Sequence, residues 1–400
     1  MDRTYFQKGF GLRSEIRPQL LENYRSQIVD LMRANDFRLE AGGLTFLLAM
    51  EFGFCYGVER AVAYAYETVT KFPDRRIFLA GEIIHNRHVN DKLQRLGIRF
   101  LAKGENRYDA VGQDDVVLIP AFGIPVSHME LLMKKGCIIV DTTCGSVINV
   151  WKNVERYARA GVTSIIHGKF EHEETKATFS RTTLVPDAHY LIIRNKEEAV
   201  YLCGYITNGG DTSEFISRFQ RAISKGFDPE KHLERIGLAN QTTMLSSESL
   251  EIAELVRVAM AQRYGVEELS TRFYSFDTIC SATQDRQDAV RELEKEKPDL
   301  MIVIGGYNSS NTNNLSKMAS RFTPTYHIEQ ATSILSADAI RHKPAGCTEE
   351  IVTREWLPCQ VKRIGITGGA STPNNQIGES IERIVNFRDR MNYTTLLGVD

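Results

Sequence analysis

Short apolar runs alternate along this chain with longer stretches in which apolar side chains recur every third or fourth position. The first pattern fits a strand buried on both faces, the second a helix that buries one face. Strands are predicted at 44–49, 77–80, 116–120, 138–140, 164–167, 190–193, 273–276, 300–304, 325–328 and 364–367. Helices are predicted at 58–70, 147–160, 247–262, 282–297 and 377–387. Strands separated by helices give an α/β fold with mostly parallel sheets. Two stretches break the rhythm. Residues 1–43 read as an added arm with one amphipathic helix over 18–32, and residues 204–236, charged and carrying Gly209-Gly210, read as an inserted excursion. The rest divides into three similar blocks, 44–142, 143–278 and 279–387, with a tail at 388–400.

Two strand-to-helix junctions are near-copies: Asp141-Thr142-Thr143-Cys144 and Asp277-Thr278-Ile279-Cys280. Cys55, in Gly53-Phe54-Cys55-Tyr56-Gly57, repeats the layout more loosely. Backbone N–H groups at a helix start are unpaired and partly positive, so they favour a thiolate over a thiol. Three thiolates presented by three similar units can converge on one metal centre. The plainer role is packing, because a free cysteine usually behaves as a small hydrophobe. That role is assigned to Cys137, Cys203, Cys347 and Cys359, none of which repeats the strand-end context. Structural disulfides are not expected: the chain opens on no apolar signal segment and so reads as intracellular, and seven cysteines is an odd number.

Composition narrows the class without deciding it. At about 150 residues per domain, 400 residues make two or three domains. No run reaches the ~20 apolar residues of a membrane span. A formal charge of −2 with dispersed Lys and Arg gives no electrostatic reason to expect nucleic acid. The expectation is a cytoplasmic enzyme or binding protein.

Other strand ends carry neutral hydrogen-bond donors. Gly305-Gly306-Tyr307-Asn308-Ser309-Ser310-Asn311 follows one strand, and Gly368-Gly369-Ala370-Ser371-Thr372-Pro373 follows another, each before a helix. Glycine lets backbone approach a ligand and helix N-termini favour anions, so both loops suit phosphate, although Ser and Asn are also ordinary N-caps. Histidines gather at strand ends too, in Ile83-Ile84-His85-Asn86-Arg87-His88 and His172-Glu173-Glu174. In an extended segment His172 and Glu174 point the same way and Glu173 points away.

The ordered set of motifs resembles the 4-hydroxy-3-methylbut-2-enyl diphosphate reductase family, which catalyses the last step of the non-mevalonate isoprenoid pathway. The resemblance spans about 44–387 and rests on G-F-C-Y-G-V-E-R-A (53–61), H-N-R-H-V (85–89), D-T-T-C (141–144), H-E-E (172–174), Q-T-T (241–243), D-T-I-C-S-A-T-Q-D-R-Q (277–287), N-S-S-N-T-N (308–313) and G-G-A-S-T-P (368–373). The arm and the 204–236 excursion match the longer members of oxygenic phototrophs. One position departs from the shorter bacterial members. Where they place a histidine, this chain reads Ala121-Phe122-Gly123, and Phe122 cannot donate to a diphosphate.

The resemblance implies three α/β domains around one [4Fe-4S] cluster held by Cys55, Cys144 and Cys280, with one iron left open for the substrate's hydroxyl. It implies that His85, His172, Ser309, Ser310, Asn311 and Ser371 grip the diphosphate, that Thr242 orients the hydroxyl, and that Glu174 protonates it. Two electrons then remove water and give isopentenyl and dimethylallyl diphosphate. Ferredoxin is the implied electron donor, and a homodimer is one assembly open to the chain. Two other classes fit the residues less fully. A cluster-dependent dehydratase would need no reductant, and a zinc-stapled or redox-sensing protein would be colourless.

Overall fold

The computed structural model describes residues 4–104, 106–276 and 278–389. It confirms an α/β fold built on mostly parallel sheets, and the chain forms two compact units. One comprises residues up to Gln7, Phe78–Gly81 and Leu101–Cys280; the other comprises Lys8–Ile77, Glu82–Phe100 and the chain from Ser281 onward.

The first unit holds two of the sheets. In one, the strands Tyr5–Phe6, Ile138–Asp141, Val116–Ile119 and Ile77–Leu79 lie side by side in that order. In the other, Phe273–Ser275, Ile236–Asn240, Thr163–His167 and Tyr190–Ile193 are parallel throughout. Ile236–Asn240 was not among the predicted strands, since Gly237 and Asn240 lower strand propensity. Glycine is required there, because a Cβ at 237 would lie 2.7 Å from the Tyr157 ring. The 204–236 stretch is less separate than its charge suggests. Its first residues finish the helix Lys196–Asn208, and the helices Thr212–Phe219 and Pro229–His232 follow. Phe215, Phe219 and Phe227 bury their rings in the core of this unit, each contributing about 1.5–3 kcal/mol.

The second unit is built on Thr325–Ile328, Leu300–Ile304, Arg363–Gly368 and Leu44–Leu48, parallel to one another, with Arg38–Ala41 antiparallel at the edge. Leu44–Leu48 pairs with Arg363–Gly368, so the head of the first block and the body of the third share one sheet. Sheet pairing joins strands at any sequence separation, and apolar periodicity does not name the partner. The arm also differs from the single helix predicted. It carries two helices, Arg13–Tyr24 and Gln27–Ala34, divided where Ser26 turns extended and its hydroxyl caps the second through Val29 N at 3.3 Å. Of the tail at 388–400, residues 390–400 lie outside the described residues, as does Asp277 of the second tetrad. Among the described residues no helix is long and apolar enough to cross a membrane.

Candidate functional site

Each of the three cysteines stands at the mouth of a helix, and each is pinned in the same way. Cys55 is the N-cap of Tyr56–Lys71, and its Sγ accepts from Val58 N at 3.5 Å. Cys144 is the N-cap of Gly145–Arg159, and Cys280 directly precedes Ser281–Lys295. The Cys55 amide donates to Ala370 O at 3.1 Å, the Cys144 amide to Ala121 O at 2.8 Å, and the Cys280 amide to Thr242 O at 3.3 Å. In every case the acceptor is in the loop that ends the adjacent parallel strand. The second residues of the two tetrads reinforce this. Thr142 Oγ1 donates to Ile119 O at 2.7 Å, and Thr278 Oγ1 accepts from Asn240 N at 2.7 Å.

All three thiols are half-buried. The remaining cysteines sit in different surroundings. Burial raises the Cys137 thiol and pushes Cys203 up to about 11, so both stay protonated, while Cys347 and Cys359 are exposed. Soft sulfur donors fit an iron–sulfur group by chemistry.

Asp141 steadies the Cys144 junction. Its Oδ1 accepts from Thr143 N at 2.9 Å and from Thr143 Oγ1 at 2.5 Å. Its Oδ2 accepts from the Tyr5 hydroxyl at 2.5 Å and from Gln7 Nε2 at 3.2 Å. Tyr5–Phe6 pairs in parallel with Ile139 and Val140, so the start of the arm is both an added strand and a brace. Nothing in the sequence pattern marked Tyr5 or Asp141 for this role.

Near Thr242 the first unit presents a carboxyl. Glu174 is 2% exposed; its Oε1 accepts from Thr242 N at 2.6 Å and its Oε2 lies 3.0 Å from Thr242 Oγ1. A backbone N–H can only donate, so Oε1 is committed as an acceptor. A neutral carboxyl must therefore carry its proton on Oε2, facing the hydroxyl. The separation of Glu174 from Glu173 does not come from an extended segment. His172 is the N-cap of the helix Glu173–Phe179 and accepts from Glu174 N through Nδ1 at 3.2 Å. Successive helical residues diverge by about 100°, which buries Glu174 and leaves Glu173 to pair with Lys103 at 3.1 Å. Gln241 fastens the neighbouring turn, accepting from Lys169 N at 3.1 Å and Thr175 Oγ1 at 3.2 Å. Phe122 packs its ring edge-on to His172, with centroids 6.2 Å apart, as an apolar wall. His167 belongs to the core: it bonds Ser249 Oγ at 2.9 Å, and burial pushes it down to about 4.

The second unit brings together the neutral donors. Ser309 caps the helix Ser310–Ala319 through Thr312 N at 3.3 Å. Asn311 Oδ1 accepts from Ala370 N at 2.9 Å, and so holds the loop that in turn anchors Cys55. Ser371 Oγ donates to His85 O at 3.2 Å. Ser309, Ser310, Asn311 and Ser371 are all buried. Gly306 must be glycine, because a Cβ there would lie 2.3 Å from His85 O. The His85 ring is tied by Nδ1 to Glu82 Oε2 at 2.8 Å, and Asn308 Nδ2 donates to the same oxygen at 3.0 Å. Sequence reading passed over Glu82 and Asn308; the only available signal was a glutamate three residues before a histidine.

Half-buried thiols, a buried carboxyl and serine-rich helix starts, all at parallel-strand ends, are residue types suited to an enzyme that uses a metal and an anion. Comparison with known proteins makes the class specific. A family model described as LytB protein matches residues 46–385. The 4-hydroxy-3-methylbut-2-enyl diphosphate reductase of Microcystis aeruginosa is 47% identical over 391 residues, covering 97% of this chain and 96% of the relative. That of Thermosynechococcus vestitus is 48% identical over 388 residues, covering 96% and 95%. A solved structure of (E)-4-hydroxy-3-methyl-but-2-enyl diphosphate reductase, the terminal enzyme of the non-mevalonate pathway, is 28% identical with a TM-score of 0.52, covering 85% of this chain and 98% of that one. The Plasmodium falciparum reductase shares the fold at 22% identity and a TM-score of 0.61, over 84% of this chain and 86% of its own. The chain belongs to the LytB family.

Proposed function

We propose that the chain reduces 4-hydroxy-3-methylbut-2-enyl diphosphate, the substrate that its relatives' names give for them, and that the products are isopentenyl and dimethylallyl diphosphate. The observation that carries the reading is the buried Glu174 carboxyl, held at both oxygens by Thr242. Removing an allylic hydroxyl breaks a C–O bond, and hydroxide is a poor leaving group. A proton must reach the oxygen so that it departs as water, and the allyl fragment takes up two electrons and a second proton. Glu174 provides the first proton from Oε2, with the Thr242 hydroxyl as its hydrogen-bond partner and orienting group. Cys55, Cys144 and Cys280 would hold one [4Fe-4S] cluster, which when bound supplies the electrons and an iron free of cysteine.

His85, His172, Ser309, Ser310, Asn311 and Ser371 take the diphosphate. The serines and Asn311 offer neutral donors at a helix start, where backbone dipoles favour an anion. Phe122 packs its ring against His172 and offers no hydrogen-bond donor of its own there. Ferredoxin as donor, a cytoplasmic location and a homodimeric assembly complete the proposal.

The test is anaerobic purification, a visible spectrum with iron and sulfide analysis, and turnover with a chemical reductant. A brown protein that forms both products only when reduced supports the reading. Turnover without reductant would mean a dehydratase, and a colourless zinc protein would remove the redox chemistry.

A further inference from the structure

We infer that Glu82, with Asn308, is a positioning residue that fixes which ring nitrogen of His85 meets the substrate; this rests on the diphosphate role proposed for His85. The loop that carries Glu82 and His85 is fastened by hydrogen bonds along its length. Ile83 and Ile84 are buried beneath it. Asn90 closes it from the following helix, accepting from Ile83 N at 3.2 Å and donating to Ile84 O at 2.9 Å. Asn86 caps that helix, Arg87–Arg95, through Val89 N at 3.1 Å and donates to Gln376 Oε1 at 3.0 Å. With the backbone fixed, the imidazole retains one principal freedom, rotation and choice of tautomer.

Glu82 removes that freedom. A carboxylate accepts only, so Nδ1 of His85, 2.8 Å away, must carry a hydrogen. Asn308 donates Nδ2 to the same Oε2 at 3.0 Å, and this sets the carboxylate's own orientation. The 3.2 Å approach of Asn308 Nδ2 to His85 Nδ1 sets two donors side by side, an arrangement tolerable only because the carboxylate oxygen accepts from both. With Nδ1 committed to Glu82, Nε2 is the ring nitrogen that meets the diphosphate, and in the imidazolium form it donates to the anion while Glu82 balances the charge. The His85 side chain is 12% exposed and that of Glu82 is 43% exposed. The carboxylate thus borders a cavity of about 530 Å³ lined also by Arg87, Tyr307 and Glu329, so it can be altered without opening the core.

The experiment compares Glu82→Gln, Glu82→Leu and His85→Ala holoenzymes, each titrated with inorganic pyrophosphate by calorimetry. Gln keeps an oxygen that accepts from Nδ1–H, so its affinity should stay within about threefold of wild type. Leu leaves the ring unsupported and should weaken binding by about tenfold, the worth of one hydrogen bond to a charged group. In chemically reduced turnover the Leu variant should raise KM by a similar factor with kcat nearly unchanged, and its iron content should match wild type. Wild-type affinity in Glu82→Leu alongside lost affinity in His85→Ala would overturn the inference while leaving His85 a ligand. Wild-type affinity in both would overturn the diphosphate role of His85 itself.

Discussion

Thr242 holds both oxygens of Glu174 at once, its amide on Oε1 at 2.6 Å and its hydroxyl 3.0 Å from Oε2. The same residue's carbonyl accepts from the Cys280 amide at 3.3 Å. One turn of backbone therefore fixes the carboxyl and the cysteine loop together. Their spacing is set by a strand end and not by side-chain chance.

Glu174→Gln keeps the shape and an acceptor for the Thr242 amide but cannot release a proton. It should keep its iron and bind substrate, yet lose about 10²–10⁴ in rate. Glu173→Gln removes the charge that pairs with Lys103 and should be nearly silent. Single-turnover dehydroxylation by chemically reduced enzyme makes the comparison without donor docking. Equal losses in the two variants would show that Glu174 and Glu173 had been assigned the wrong roles.

Serine in place of Cys55, Cys144 or Cys280 should strip most of the iron and all activity. The four other cysteines should be replaceable with iron retained, because Cys137 and Cys203 are held as thiols by burial and Cys347 and Cys359 are exposed. Iron and sulfide analysis of the anaerobic variants decides it. Normal iron in Cys280→Ser would remove that residue from the ligand set.

The Tyr5 hydroxyl donates to Asp141 Oδ2, and Asp141 Oδ1 holds Thr143 beside Cys144. Tyr5→Phe should cost about 1–3 kcal/mol at this junction. The readout is faster amide exchange at Thr143 and Cys144 and quicker iron loss to a chelator, with the rest of the chain unaffected. Exchange rates equal to wild type would show that the arm pairs with the sheet without steadying the cysteine loop.

His167 and His327 are both buried, which pushes each down to about 4. A histidine depressed in the folded state binds its proton more readily when unfolded. Stability should then be full above pH ~6.5, the unfolded value, and fall with acidification until pH ~4. Between pH 7 and pH 5 the loss should be on the order of 2 kcal/mol for each histidine. Denaturant unfolding at the two pH values measures it, and His167→Gln should shrink the difference. A wild-type stability that is flat over this range would mean that neither ring resists protonation.

The sequence by itself determined the local features. Apolar periodicity located most strands and the longest helices within about three residues, such as Leu300–Ile304 and the helix Ser281–Lys295. It placed Cys55, Cys144 and Cys280 at helix starts, because capping and periodicity are properties of near neighbours. The motif order identified the family that the comparisons then showed. Only the tertiary structure decided which strands share a sheet, bringing Leu44–Leu48 beside Arg363–Gly368 and Tyr5 beside Ile139. It made His172 a helix cap where an extended segment was expected, kept Ile236–Asn240 as a strand despite its glycine, and set Asn308 on Glu82 across 226 residues. Strand pairing and side-chain hydrogen bonds satisfy each group with whatever lies closest in space. Residues hundreds of positions apart can be that neighbour, and a pattern of period two or 3.6 holds no record of it.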